Sequence, residues 1–169
     1  MSEKDQILGD KDQVSAVVDN QGKYLTFSLE EEEYGIAIVK VKEITQMMSI
    51  TPVPHTPHFV IGVVNLRGKV IPVIDLRIRF NMNETNYTDR TCIIVVEIET
   101  EDEIIQVGNV VDSVTEVLNV TEENIEETPT FGTHVDTEYI LGLANIDGKV
   151  KILLDIDHVA NINALQGLH

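Results

Sequence analysis

Residues 59–80 read FVIGVVNLRGKVIPVIDLRIRF, and residues 139–160 repeat the pattern, without insertion or deletion, as YILGLANIDGKVKILLDIDHVA. Gly62, Asn65, Gly68, Lys69, Val70 and Asp75 recur as Gly142, Asn145, Gly148, Lys149, Val150 and Asp155. Each copy has the signature of a strand, a tight turn, a second strand and a short helix. Gly62–Leu66 and Val70–Ile74 are apolar and β-branched, and Gly68 supplies the positive φ that a two-residue hairpin needs. Asp147-Gly148 is a stronger turn signal than Arg67-Gly68. Asp75 and Asp155 stand where each can cap a helix, beginning near Leu76 in one copy and spanning Ile156–Ile162 in the other. Positions common to the copies serve the fold, and positions that differ are where function is written.

The pattern extends outward. Leu25, Phe27 and Leu29 alternate with Thr26 and Ser28, the period of a half-buried strand. A second strand is expected at Tyr34–Ile38 after an acidic turn, Glu30–Glu33. Val39, Val41 and Ile44 fit either a short helix or an irregular edge segment. Residues 81–90 are polar and join the halves. Thr91–Ile98 and Ile104–Val111 are two further strands, joined by the acidic turn Glu99–Glu103. A weaker echo links GIAIVKVKEI (35–44) to GNVVDSVTEV (108–117). The repeats therefore run over about 24–80 and 92–160. The expected fold is mainly β: two small five-stranded β-barrel lobes with a few short helices, because closure removes unpaired edges. A hairpin of one repeat could belong to the other lobe. Residues 1–22 and 164–169 are expected to be tails, leaving one domain over 23–163.

Composition excludes several function classes. The 169 residues carry a net charge of −17, with a pI near 4.4, which opposes contact with nucleic acid or anionic lipid. Cys92 is the sole cysteine, so no intramolecular disulfide forms. The N-terminus lacks the pattern of a signal peptide, which points to the cytoplasm. Apolar runs fall far short of the roughly 20 residues that cross a bilayer.

No residue pattern argues for catalysis. Asp75 and Asp155 read better as helix caps than as an acid–base pair. His55 and His58 lie in a proline-rich turn with no third ligand close in sequence. The rival reading, a small-molecule or metal-binding β-barrel protein using these groups, would be revived by stoichiometric bound metal. No cofactor is expected. Binding surface remains. Arg67 replaces the better turn former Asp147 at one hairpin tip, either as a solvated side chain or as a recognition element. Lys69, Arg77 and Arg79 are expected to join it in a basic cluster. Phe131, alone in a polar loop, either anchors that loop or fills a partner's pocket.

Residues 62–77, GVVNLRGKVIPVIDLR, closely resemble a motif characteristic of the CheW family of bacterial chemotaxis coupling proteins, and most resemble its enterobacterial members. The resemblance extends to Glu32-Glu33-Tyr34-Gly35-Ile36, Lys40–Ile44, Val110-Val111-Asp112 and Thr137-Glu138-Tyr139, and covers about Tyr24–Val159. It implies two SH3-like five-stranded barrels. It also implies a non-enzymatic adaptor joining the cytoplasmic tip of a methyl-accepting chemoreceptor to the regulatory domain of a CheA-type histidine kinase. Such a protein works in the cytoplasm, recruited to receptor arrays at the inner face of the membrane without touching lipid. An adaptor of another phosphorelay, for surface motility or a second messenger, is the alternative within the class.

Carried over by position, the resemblance lines a receptor groove with Ile38, Val41, Glu43, Ile44, Gly62, Arg67, Cys92, Val114 and Val117. It gives kinase contacts to Phe131 and to Thr51 and Val70. Cys92 stands where an aliphatic residue is common, Glu126 where a basic one occurs, and Glu99–Glu103 lengthens a turn.

Overall fold

The computed structural model describes residues 21–83, 85–126 and 135–162, and these contain eleven strands and two single-turn helices. The first repeat supplies β1 (Gly22–Leu29), β2 (Glu32–Ala37), β3 (Val41–Gln46), β4 (Val60–Leu66), β5 (Lys69–Asp75) and helix α1 (Leu76–Arg79). The second supplies β6 (Cys92–Glu99), β7 (Ile104–Val111), β8 (Ser113–Val120), β9 (Ile125–Glu126), β10 (Ile140–Ile146), β11 (Lys149–Leu154) and α2 (Ile156–Val159). The turns at the tips of β4–β5 and β10–β11 have positive φ at both central residues, 55° and 84° at Arg67-Gly68 and 55° and 81° at Asp147-Gly148. That geometry matches the twist of the flanking strands. Asp75 caps α1, accepting a hydrogen bond from the Arg77 amide at 2.9 Å, and Asp155 caps α2 through the His158 amide at 3.4 Å.

The strands form two sheets, ordered β3-β6-β7-β5-β4 and β8-β1-β2-β11-β10-β9. The first pair of strands of each repeat therefore lies in the sheet built around the other repeat's hairpin. Two parallel pairings make the exchange, β5 with β7 through Val73 and Gly108 and β2 with β11 through Leu153 and Gly35. All other pairings are antiparallel.

Each sheet closes in the same way. Beyond β3 the chain returns to β4, where Thr51 and Val63 exchange two backbone hydrogen bonds of 2.9 Å. Beyond β8 it returns as β9, with Glu126 opposite Leu143 and Ile125 opposite Ala144. That return is why the second sheet has six strands rather than the expected five. Gly62 is required by the first closure: at φ +149°, a Cβ there would lie 2.3 Å from the Thr51 carbonyl oxygen.

Three apolar clusters result. Val64, Ile71, Val73, Ile93, Val95 and Val110 fill the five-stranded barrel. Tyr24, Val120, Ala144 and Leu153 fill the other. The largest cluster lies between the sheets and takes Leu25, Phe27, Leu29, Tyr34, Ile36, Ile74, Ile94, Val96, Ile98, Ile152 and Leu154 from their facing sides. β1, β2, β5, β6, β7 and β11 are thus buried on both faces; β5 and β6 show it as nearly continuous apolar runs, whereas β1, expected to be half-buried, covers its second face with Tyr24 and the 1% exposed Thr26.

Three local expectations change, and one that the sequence left open is settled. The β1–β2 turn is shorter, with β2 starting at Glu32, because Glu30 takes a positive φ of 57° and reverses the chain at once. Residues 38–40 form one 3-10 turn and 41–46 an edge strand, the irregular alternative. α2 stops at Val159 rather than Ile162. Arg77 and Arg79 do not join a basic cluster at the hairpin tip. Arg77 binds Asp112, with Nε donating to Oδ1 at 2.7 Å and Nη2 to Oδ2, and this bonding raises its pKa further. Asp112 also accepts the Glu30 amide at 2.8 Å. The Arg79 guanidinium sits between the rings of Phe59 and Tyr139, 4.4 and 4.7 Å from their centroids, and its Nε donates to the Val159 carbonyl at 3.0 Å. These opening residues of the two repeat copies are thereby clamped together.

The closure predicts unequal costs for two glycines. Gly62→Ala is expected to destabilise the chain by about 3 kcal/mol or more, since backbone clash adds to strain, whereas Gly68→Ala costs about 1 kcal/mol from its positive φ alone. Urea unfolding of the two variants measures the difference.

Candidate binding groove

The sequence spacing of the expected groove residues is unusual for strands. Val41 and Ile44 are three apart, as are Val114 and Val117, so regular β structure would turn the members of each pair to opposite faces. Both edge strands carry a bulge that prevents this. In β3, Val41 pairs with Val96 and Glu43 with Val95, so Lys42 is the extra residue. In β8, Glu116 pairs with Thr26 and Val114 with Phe27, so Thr115 is the extra residue. Val41 and Ile44 then stand opposite Val96 and Ile94, while Val114 and Val117 stand opposite Phe27 and Leu25. All four partners belong to the core between the sheets. The bulges thus bring both apolar pairs to the same inter-lobe face.

Ile38, Val41, Cys92 and Val114 pack half-buried against that core, while Ile44 and Val117 remain 44% and 50% exposed. Cys92 lies on β6 two residues from Ile94 and so shares its face. Burial pushes the Cys92 thiol above its ordinary pKa, against a smaller opposing influence of the Val114 backbone. The six side chains form an apolar rim where the edge strands leave the shared core uncovered. Val39 in the intervening 3-10 turn, 82% exposed, was not among the residues expected from sequence. It continues the apolar run Ile36-Ala37-Ile38, so the sequence gave no signal that it faces solvent.

The other three expected groove residues sit apart from the rim. Glu43 points to the opposite face of β3 from Ile44 and pairs with Arg67, Nη2 to Oε2 at 3.3 Å, with Arg67 79% exposed. Gly62 is buried under the Thr51 closure and presents no surface. Thr51 is exposed on the closing segment, and Val70, 68% exposed, lies on the outward face of the β4–β5 hairpin. Phe131 lies outside the described residues.

Among the described residues no three His, Cys, Asp or Glu side chains stand together in a way that could hold a metal ion. His55 is exposed, and His58 packs edge-on to Phe59 at 5.9 Å between ring centroids. The Asp75 carboxylate is occupied as a helix cap and by the Tyr87 hydroxyl at 2.8 Å. No helix among the described residues is long and apolar enough to cross a membrane.

The family model for the CheW-like domain matches residues 23–163. The chain belongs to the CheW family. It is 41% identical over 135 residues to the chemotaxis protein CheW of Klebsiella aerogenes, covering 80% of this chain and 79% of that protein. It is 35% identical to CheW of Treponema pallidum, with 90% of each chain covered. Its structure resembles the crystal structure of the scaffolding protein TtCheW from Thermoanaerobacter tengcongensis, with a TM-score of 0.75 and 39% identity over 85% of this chain and 94% of that one. As a CheW-family protein the chain is a non-enzymatic adaptor of chemotaxis signalling, built on two SH3-like barrels. The CheW fold supplies the rim by turning two bulged edges toward one shared core.

The state of Cys92 gives a chemical check on the rim. Alkylation by iodoacetamide at pH 8 is expected to run at least about tenfold slower in the native chain than in urea, because burial lowers both access and thiolate content. The native rate should rise with pH over a higher range than in the unfolded chain. Equal rates would contradict the packing described.

Proposed function

We propose that this chain couples a methyl-accepting chemoreceptor to a CheA-type histidine kinase, holding both in an array at the inner face of the membrane. The single observation that carries the receptor half is the rim itself: six apolar side chains from two lobes, converging on the edge of a common core. Such a surface fits the apolar face of a helical hairpin tip, which offers anchors at helical spacing. The Arg67–Glu43 pair, on the other face of β3 from Ile44 and with Arg67 79% exposed, can exchange its internal bond for contacts that fix the tip's register. Gly62 contributes by keeping closed the barrel that carries Arg67.

Thr51 and Val70 support a separate kinase contact, since both are exposed on the five-stranded lobe and neither packs against the core that the rim borders. Phe131 is assigned to the kinase from the family resemblance alone. Separate faces let one adaptor hold both partners at once. Signal passes only if the adaptor binds with different free energy to different states of receptor or kinase. The fold's shared core makes the two lobes respond as one body.

The test is receptor-dependent kinase stimulation reconstituted from purified components. Arg67→Asp should keep its β-sheet signature and lie within about 0.5 kcal/mol of the parent in stability, as is usual for an exposed site. It should abolish coupling, because it places a second acid against Glu43 and removes the only cation of the pair. Full stimulation by this variant would contradict the receptor assignment.

A further inference from the structure

The two bulges that shape the rim are held by different chemistry. In β3 the extra residue, Lys42, reaches Glu97 at 3.4 Å, with the two side chains 46% and 36% exposed. Solvent screens such a pair, and it contributes little rigidity. In β8 the extra residue, Thr115, is itself exposed but is bonded to a buried hydroxyl. Its Oγ1 lies 2.6 Å from Oγ1 of Thr26, a residue only 1% exposed. The Thr26 hydroxyl in turn accepts the Glu116 amide at 3.2 Å and lies 2.9 Å from the Glu116 carbonyl oxygen.

On the neighbouring β2, Glu33 accepts from Nζ of Lys151, a lysine only 4% exposed, and the Thr115 hydroxyl acts on the same carboxylate as a smaller influence that lowers its pKa. The Lys151 bond is the largest cause of a lowered Glu33 pKa, so the carboxylate remains an acceptor. Polar groups thus neighbour one another from β11 through β2 and β8 to β1. The Thr26 proton can go to the Thr115 hydroxyl or to the Glu116 carbonyl. The Glu116 amide is held by Thr26 in every arrangement. Position 151 is Ile71 in the other repeat, inside an apolar core, so the polar filling belongs to this lobe alone.

We infer that Thr26, bonded to the amide and the carbonyl of Glu116 and to the bulge residue Thr115, is a positioning residue that fixes the β8 bulge and with it the receptor-facing orientation of Val114 and Val117. Thr26 touches no partner. It acts by pinning the backbone at Glu116, between the two valines that the rim needs on one face. The inference rests on the receptor reading of the groove. The β3 wall, pinned only from solvent, is the adaptable side.

Thr26→Val and Thr26→Ser in the full chain test this. Three readouts are needed: amide exchange at Glu116 and Val117 by NMR, affinity for a receptor cytoplasmic-tip fragment, and affinity for the kinase regulatory domain. Thr26→Val is expected to speed exchange at Glu116 and to weaken tip binding by about tenfold each, the size of one lost buried hydrogen bond. Kinase-domain affinity should stay unchanged, and Thr26→Ser should restore both losses. Parental exchange and tip affinity in Thr26→Val would overturn the inference. Equal weakening toward both partners would also overturn it, since that marks a general structural defect, as would a serine variant that behaves like valine. If the parent chain ignores the tip fragment while Glu116 exchange still answers to Thr26→Val, the receptor reading falls and the bulge assignment stands.

Discussion

The structure depends on one apolar core that belongs to neither lobe. Leu25, Phe27, Leu29, Tyr34 and Ile36 of one sheet meet Ile74, Ile94, Val96 and Ile98 of the other, and nearly all are inaccessible to solvent. Neither sheet could leave that face exposed, since each buried side chain of this size is worth roughly 1.5–3 kcal/mol. The lobes are therefore not independent modules. Exchange of strand pairs between the repeats strengthens the same link, because β2 completes the sheet of β11 and β7 that of β5.

From that constraint the binding surface follows. A core shared by two sheets must end somewhere, and it ends at the edge strands β3 and β8. An ordinary strand alternates its side chains and would offer a rim only half apolar. One extra residue in each edge corrects the phase, so that Val41 with Ile44, and Val114 with Val117, extend the core outward. The bulges also spoil the edges for further strand pairing, which keeps an exposed sheet margin from recruiting another chain. Function and negative selection against aggregation are met by the same irregularity.

Much of this was readable from residues alone, and the unread part has a common cause. The repeated hairpins, the turns at Arg67-Gly68 and Asp147-Gly148 and the caps at Asp75 and Asp155 are local, and each has a residue-level signal. The expected groove residues came from resemblance rather than spacing. The three-residue spacing of Val41 and Ile44 resembled a helix, because a bulge imitates helical phase in sequence. Arg77 and Arg79 looked like neighbours of Arg67, but they follow β5 at the far end of the hairpin, where Asp112 and the rings of Phe59 and Tyr139 claim them. Lys151 and Thr26 gave no sign of burial, since only the fold brings Glu33 and Thr115 beside them. What sequence hides here is long-range pairing and the phase shifts it imposes.

The central claim is that the receptor docks on the rim where the shared core reaches the edges of β3 and β8. Titrating the isotope-labelled chain with a receptor cytoplasmic-tip fragment, read residue by residue by NMR, tests it most directly. The account predicts that the earliest and largest shifts fall at Val41, Ile44, Cys92, Val114 and Val117, drawn from both lobes at once. Shifts confined to the outward face of the β4–β5 hairpin around Val70, with the rim unchanged, would contradict it.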